Sequence, residues 1–408
     1  MKIISFLFLI LLFNGSTINN IVEKNAVHTD SWIWGYYIMK NPDDGKNYLL
    51  LTCQSGKAYK MILYDSNCKK IFEEENLQDY HVFQYGSKVY FIEDDLCELN
   101  LSDYKVNRLN IKNDNYKRME ITEYKNNTIV ILSNVYGTEV YNLKDSKLMF
   151  NIKRELKVKY TSVKYYKGKI IYNFKRNGIA VYSLSENREL WRYDTGEQGV
   201  YFLGIKLGSA PDGISDFKGY DDSGEKLVLN TAFGGLYKFD LQTGKILLRK
   251  DRFAGKGNNA GMIGSFAFVD MNGDGIKDIV AGSVDHNVYC INGKDFSTMW
   301  EYDTGNEIQL PVSLYDINGD KIPEVFCVND YDNNLFIFDG KTGKPIIEES
   351  VKDNNYKSLI QTSVILADFS GNGLLDLIVM RNMKEMQVYE MSSVKVPPDS
   401  ILYDPSAI

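Results

Sequence analysis

The chain has 408 residues, a formal net charge of -7 and 29 tyrosines, with charges of both signs along its length. Without a basic block it lacks a nucleic-acid-binding balance, and its length is ample for a large core. Few prolines and many aromatic and β-branched runs favour β-structure.

In chain order, the first element is a leader. Lys2 precedes an apolar run from Ile3 to Phe13, too short to span a bilayer comfortably, and Asn14, Gly15 and Ser16 follow as small or polar cleavage residues. The expectation is a signal peptide over residues 1–18 and a secreted, extracellular or periplasmic chain; the rival is an uncleaved anchor. No cysteine follows closely enough for lipid attachment, and no later segment is long and apolar enough to cross a membrane. The cysteines are Cys53, Cys68, Cys97, Cys290 and Cys327. Their odd number leaves at least one thiol unpaired; Cys53 with Cys68 and Cys290 with Cys327 are conceivable pairs, and buried free thiols the alternative. No Cys/His spacing suggests zinc.

From residue 31 onward the text is hairpin grammar: an apolar run, a turn rich in Asp, Asn, Ser, Gly or Lys, and another apolar run. The units include KMILYDSNCKKIFEE, LCELNLSDYKVNRLN, TEVYNLKDSKLMFNI, IAVYSLSENRELWRYD, LYKFDLQTGKILLRKD, VYCINGKDFSTMWEYD, LFIFDGKTGKPIIEE and MQVYEMSSVKV. Their corresponding positions fall near Tyr64, Leu99, Tyr141, Tyr182, Phe239, Ile291, Phe338 and Tyr389, roughly 35 to 57 residues apart. No helix interrupts them. A four-stranded sheet of this size cannot bury both faces alone, whereas sheets stacked around an axis do, and a closed ring protects the edges. The predicted fold is all-β: a single β-propeller of four-stranded antiparallel blades over 31–395, with eight blades and seven as the alternative. The first strand of unit 1 must come from Trp32 to Met39, pairing of strands from both termini closes the ring, and residues 396–408 form a tail. GSAPDGISDFKG, Gly208 to Gly219, reads as a long loop that could bind a ligand or be a tolerated insertion.

Three acidic segments stand out within 265–380. DMNGDGIKD begins at Asp270, DINGDKIPE at Asp316 and DFSGNGLLD at Asp368. Each sets oxygen donors at positions 1, 3, 5 and 9 of a glycine-containing loop, a spacing suited to a hard cation that takes six or more oxygens. The expected ligands are Asp270, Asn272, Asp274, the Ile276 carbonyl and Asp278; Asp316, Asn318, Asp320, the Ile322 carbonyl and Glu324; and Asp368, Ser370, Asn372, the Leu374 carbonyl and Asp376. Calcium is the expected ion, because magnesium prefers a rigid octahedron and keeps its waters. Carboxylate counts of three, three and two predict that the third site is weakest. An EF-hand is excluded: its twelfth position is Ala281, not Glu, and the flanks read as strands. The alternative is plain Asx-Gly turns without metal. YDDSGEKLVLN, Tyr220 to Asn230, reads as a degenerate copy, and units 1 to 4 lack the loop.

VDMNGDGIKDIVAG, YDINGDKIPEVFCV and ADFSGNGLLDLIVM resemble FG-GAP repeats, the calcium-binding blades of integrin α-chain propellers and of many exported bacterial proteins. LYKFDLQTGKILLR and its partners resemble PQQ-like propeller repeats, in which a Gly-Lys turn is followed by a Trp packed between blades; Trp191 and Trp300 take that place. The specific resemblance covers about residues 178 to 390, and the first 170 residues match in rhythm alone. It implies an exported, calcium-stabilised module that presents loops to a protein or carbohydrate partner, without catalysis and without bound quinone, since the adjacent-cysteine pair of quinone dehydrogenases is absent. The alternative is a calcium-dependent polysaccharide lyase or another propeller enzyme. Against it, His28, His81 and His286 lie on unrelated segments, and no GxSxG or phosphate-loop motif appears. Asn100 and Asn126 begin N-glycosylation acceptor patterns.

Overall fold

Ile129, Val130, Ile131 and Leu132 are apolar without alternation, yet all lie in one strand. Side chains of a strand point alternately to opposite faces, and here both faces are buried. Ile129 and Ile131 pack with Ile170 and Tyr172 on one side. Val130 and Leu132 pack with Tyr90 and Ile92 on the other. The same division splits Leu49 and Leu51 from Leu50. Such strands need a neighbouring sheet on each side, which a ring supplies.

The computed structural model describes residues 21–154, 158, 162–202, 205–251, 263–351 and 363–396. Among these residues the strands form eight four-stranded antiparallel sheets and one two-stranded hairpin. In chain order, blades 1 to 7 run from Ile33 to Leu77, Phe83 to Lys112, Arg118 to Lys153, Val163 to Asp194, Ile214 to Lys250, Ile263 to Asp303 and Ser313 to Ser350. Blade 8 takes Ile365–Ala367, Leu374–Asn382 and Glu385–Lys395, and its outermost strand is Ile21–His28 from the other end of the chain. That strand pairs antiparallel with Glu385–Lys395, Val27 opposite Met386. One hydrophobic core fills each junction, including blade 8 against blade 1. The fold is an eight-bladed β-propeller, and all eight corresponding positions from Tyr64 to Tyr389 fall on third strands.

Two expectations change, and two fall outside the described residues. The ring begins at Ile21 rather than 31, because Ile21–His28 completes blade 8. The leader at 1–18 and the tail from 397 lie outside the described residues. Gly208 to Gly219 is not a loop. Glu197–Phe202 and Ile205–Pro211 form the hairpin, and Ile214–Asp221 is the first strand of blade 5. Its glycine reflects close packing rather than a turn: a Cβ on Gly219 would lie 2.6 Å from Tyr166 of blade 4. The five cysteines are free thiols, four of them buried.

The tryptophans occupy the expected place. Trp191 Nε1 donates to the Leu241 carbonyl of the next blade at 2.8 Å, and Trp300 Nε1 to that of Gly340 at 2.8 Å. Each indole lies against the next blade's Gly-Lys turn, where a Cβ on Gly244 or Gly343 would come within 2.6 Å of the ring. Removing the Trp300 indole leaves a cavity and an unmet carbonyl, so Trp300→Ala should cost about 3–5 kcal/mol in chemical denaturation. Gly343→Ala should also destabilise, since φ there is 67°.

Candidate metal loops and the two ends of the ring

Antiparallel blades sort their connections. Turns between strands one and two, and three and four, lie at one end of the ring; turns between strands two and three, and crossings to the next blade, lie at the other. The acidic segments join strands one and two of blades 6, 7 and 8, so all three lie at the same end.

The first two loops share one bonding pattern. Asp270 accepts from Gly273 N at 2.7 Å and Gly275 N at 2.9 Å, Asn272 from Asp274 N at 2.8 Å, and Asp274 from Ile276 N at 2.8 Å. Asp316, Asn318 and Asp320 repeat these bonds with Gly319, Lys321, Asp320 and Ile322. Gly273 and Gly275 have φ of 76° and 83°, and Lys321 keeps φ at 73° where the second glycine would stand. The sharp curl thus survives that substitution, at some backbone cost. The ninth position is an anchor. Asp278 is fully buried and accepts from Met271 N and Gly293 N, both at 2.9 Å. Glu324 accepts from Ile317 N at 2.8 Å and Asn318 Nδ2 at 2.7 Å. Asp376 accepts from Ser370 N at 2.7 Å.

Among the described residues no three His, Cys, Asp or Glu side chains converge on one point. A cation there would draw the rest of its shell from amide, hydroxyl and main-chain oxygens, the mixed set these loops carry. In the third loop Asp368 Oδ1 and Asp376 Oδ1 are buried without a hydrogen-bond donor. Buried carboxylate oxygens demand a donor or a cation, and a hard cation meets that demand.

Blade 5 supplies the contrast. Its short turn carries Asp221, Asp222 and Glu225, and each meets an ammonium: Lys167 at 2.5 Å, Lys238 at 2.6 Å and Lys169 at 2.6 Å. Lys167 and Lys169 reach across from blade 4. Among the described residues no Lys or Arg forms such a pair with Asp270, Asp274, Asp278, Asp316, Asp320, Glu324, Asp368 or Asp376. Sequence reading found the degenerate turn but not its lysines, because two of them belong to another unit. Blade 1 has a six-residue turn at 41–46 with Asp43 and Asp44, and lacks the spacing.

The opposite end is aromatic. Trp32, Trp34, Tyr136 and Tyr331 are 54%, 46%, 61% and 50% exposed, and all lie on crossings, on turns between strands two and three, or at a strand start there. Trp34 packs against Tyr80 with ring centroids 5.9 Å apart, and Tyr80 against His81 at 4.0 Å. Arg118 Nη1 donates to His81 Nε2 at 2.5 Å. The imidazole proton therefore sits on Nδ1 and faces Asp79. Burial, followed by the Arg118 and Lys117 charges against the pull of Asp79, holds His81 below its ordinary pKa. No motif marks this cluster in the sequence. Nearer the axis, Asp216 accepts from Lys164 and Ser265, each at 2.8 Å, while Lys218 donates to the Phe266 carbonyl at 2.7 Å. An open apolar groove of ≈ 450 Å³ lies between blades 6 and 7, where Phe268, Leu314 and Tyr315 lead to Asp316.

Fold and loops together define an eight-bladed propeller with FG-GAP-like loops. A family model described as FG-GAP-like repeat matches residues 316–379, from the start of the second acidic loop through the third and into the strand that follows it. A search of curated proteins gave no match. Among solved structures, the computationally designed Ika8 protein is similar, with TM-score 0.59 and 11% identity, covering 90% of this chain and 99% of that one. BamB from Moraxella catarrhalis is similar with TM-score 0.52 and 11% identity, covering 91% and 100%. At that identity the likeness shows the fold.

In the metal-free chain, burial pushes Glu324 up to about 7 and Asp376 up to about 6, with neighbouring carboxylates adding to the shift. Both groups hold protons more tightly folded than unfolded. The stability they confer is complete below their ordinary values and lost as pH rises through about 6 to 7. The melting midpoint of chelated protein should therefore fall between about pH 5 and pH 8, and Glu324→Gln should flatten the fall.

Proposed function

We propose that this chain is an exported, calcium-stabilised propeller that acts as a non-catalytic binding or scaffold module for a protein or carbohydrate partner. The observation that carries it is the contrast between blades. Lysines neutralise the acids of the blade 5 turn, whereas the acids of blades 6, 7 and 8 sit in tightly curled loops and, among the described residues, form no ion pair with a Lys or Arg, although Lys277 and Lys321 lie in two of those loops. Calcium supplies that charge, fixes the loops and stabilises the ring by mass action. The leader at Ile3 to Phe13 supports export to a calcium-rich compartment. Among the described residues no helix is long and apolar enough to cross a membrane.

The exposed aromatics at the opposite end support binding there. Trp, Tyr and Arg dominate hot spots, Trp and Tyr because they carry large contact areas at low entropic cost; Tyr80 adjoins Trp34 on one side and Arg118 on the other. The Lys164–Asp216–Lys218 cluster spends its bonds between blades, which supports the non-catalytic reading.

Calcium should raise the thermal midpoint, and a chelator should reverse the rise. At a hundred-fold excess over Kd each site contributes about 2.7 kcal/mol. No shift, together with no bound metal in native mass spectrometry, would sink the calcium reading. For the partner, the double change Trp32→Ala, Trp34→Ala should abolish capture of a purified glycan or protein ligand while the variant still melts cooperatively, with a midpoint lowered by the lost Trp34 contacts to Tyr59 and Tyr80; undiminished capture would move the binding surface elsewhere.

A further inference from the structure

We infer that Glu390 is a positioning residue of the blade 8 loop, and that through it a divalent cation at that loop fastens the strand that closes the ring. This rests on the calcium reading above.

Glu390 lies outside the acidic segment, on the third strand of blade 8, directly opposite Asp376. It is 5% exposed. One oxygen accepts from Asn372 Nδ2 at 2.6 Å, and the other meets Lys24 Nζ at 2.9 Å. Lys24 belongs to Ile21–His28, the strand that completes the blade. Asn372 is thereby oriented: its nitrogen is committed to Glu390, and its oxygen turns back into the loop, where Leu374 N donates to it at 2.9 Å. Beside it, Asp368 Oδ1 and the fully buried Asp376 Oδ1 have no donor. Two carboxylate oxygens and an oriented amide thus stand in a loop whose outer support is a Glu–Lys pair. Groups that orient metal ligands tune the affinity of the site.

The other loops lack this arm for a topological reason. In blades 6 and 7 the third strand ends in a turn to the fourth, and Asn292 and Asp339 occupy the matching register. Asn292 Oδ1 accepts from Lys294 N at 2.8 Å, and Asp339 Oδ1 from Thr342 N at 2.8 Å. Both serve their own turns. In blade 8 the third strand runs on to Lys395, because its partner arrives from the N-terminal end. The position is released from turn duty and reaches the loop. With Glu390 beside it, the third loop has three carboxylates nearby rather than the two counted from spacing.

The test combines isothermal titration with calcium and hydrogen exchange read by segment, on the full chain. For wild type, calcium should slow exchange in 21–28 as well as in the loops of blades 6 to 8. Glu390→Gln should weaken one site by about 10- to 100-fold and leave two unchanged. Lys24→Met, at a side chain 42% exposed, should keep the calcium stoichiometry and melt cooperatively, yet lose the calcium-dependent protection of 21–28. The inference is overturned if Glu390→Gln binds at all sites as wild type does. It is equally overturned if calcium protects the three loops but leaves 21–28 unchanged. If wild type binds no calcium at all, the underlying calcium reading fails with it.

Discussion

A four-stranded sheet that is apolar on both faces has no stable existence alone, and everything else in this molecule depends on that. Each blade buries one face against its predecessor and the other against its successor. The condition has no natural end, so it is met only by returning to the start. Ile365, Ile378 and Val388 of blade 8 meet Leu49, Leu51 and Ile62 of blade 1. Val27, from the closing strand, lies in the same core. The ring therefore stands or fails as one piece.

Closure creates a second demand at the axis, where each sheet ends in a strand with an unpaired edge. Bare strand edges seek partners, and here side chains from adjacent blades supply them. Gln84 of blade 2 bonds both the N–H and the carbonyl of Lys40 in blade 1. Glu120 of blade 3 accepts from Tyr165 N of blade 4 at 2.6 Å, and Tyr36 of blade 1 accepts from Ser363 N at 2.6 Å. Ser313 of blade 7 donates to the Val364 carbonyl. Glu120, a charged residue near the axis, is thus explained by a main-chain group that needs a partner, and burial there lifts it to about 7.

What was legible in the sequence follows from what is local. The third strands and their turns announce themselves through aliphatic runs beside Asp, Asn and Gly, so all eight units and their number were readable. The acidic loops were readable because their spacing is contained in nine residues. The unread features are contacts between units. IVEKNAVH has too few apolar residues to look like a strand, and only Val27 in it is fully buried. It is a strand because Glu385–Lys395 offers an edge. The first strand of blade 5 hid behind Gly, Asp and Ser: its Asp216 is bonded to blades 4 and 6, and its Gly219 makes room for Tyr166. The lysines that meet the blade 5 acids, two of them from blade 4, the His81 cluster and Glu390 likewise become meaningful only once the ring brings distant residues together.

The closing strand also sets an order of events. Ile21–His28 leaves the ribosome long before its partners; the bond between Asn25 and Gln387 spans 362 residues. Contacts of such separation are slow to form. Until they do, blade 8 lacks its outer strand and Glu385–Lys395 presents an open edge, the kind of surface that invites pairing with another chain. The growing protein is an unfinished circle with a loose end at each side, and its exposure to misassembly is concentrated in the interval before those two ends meet.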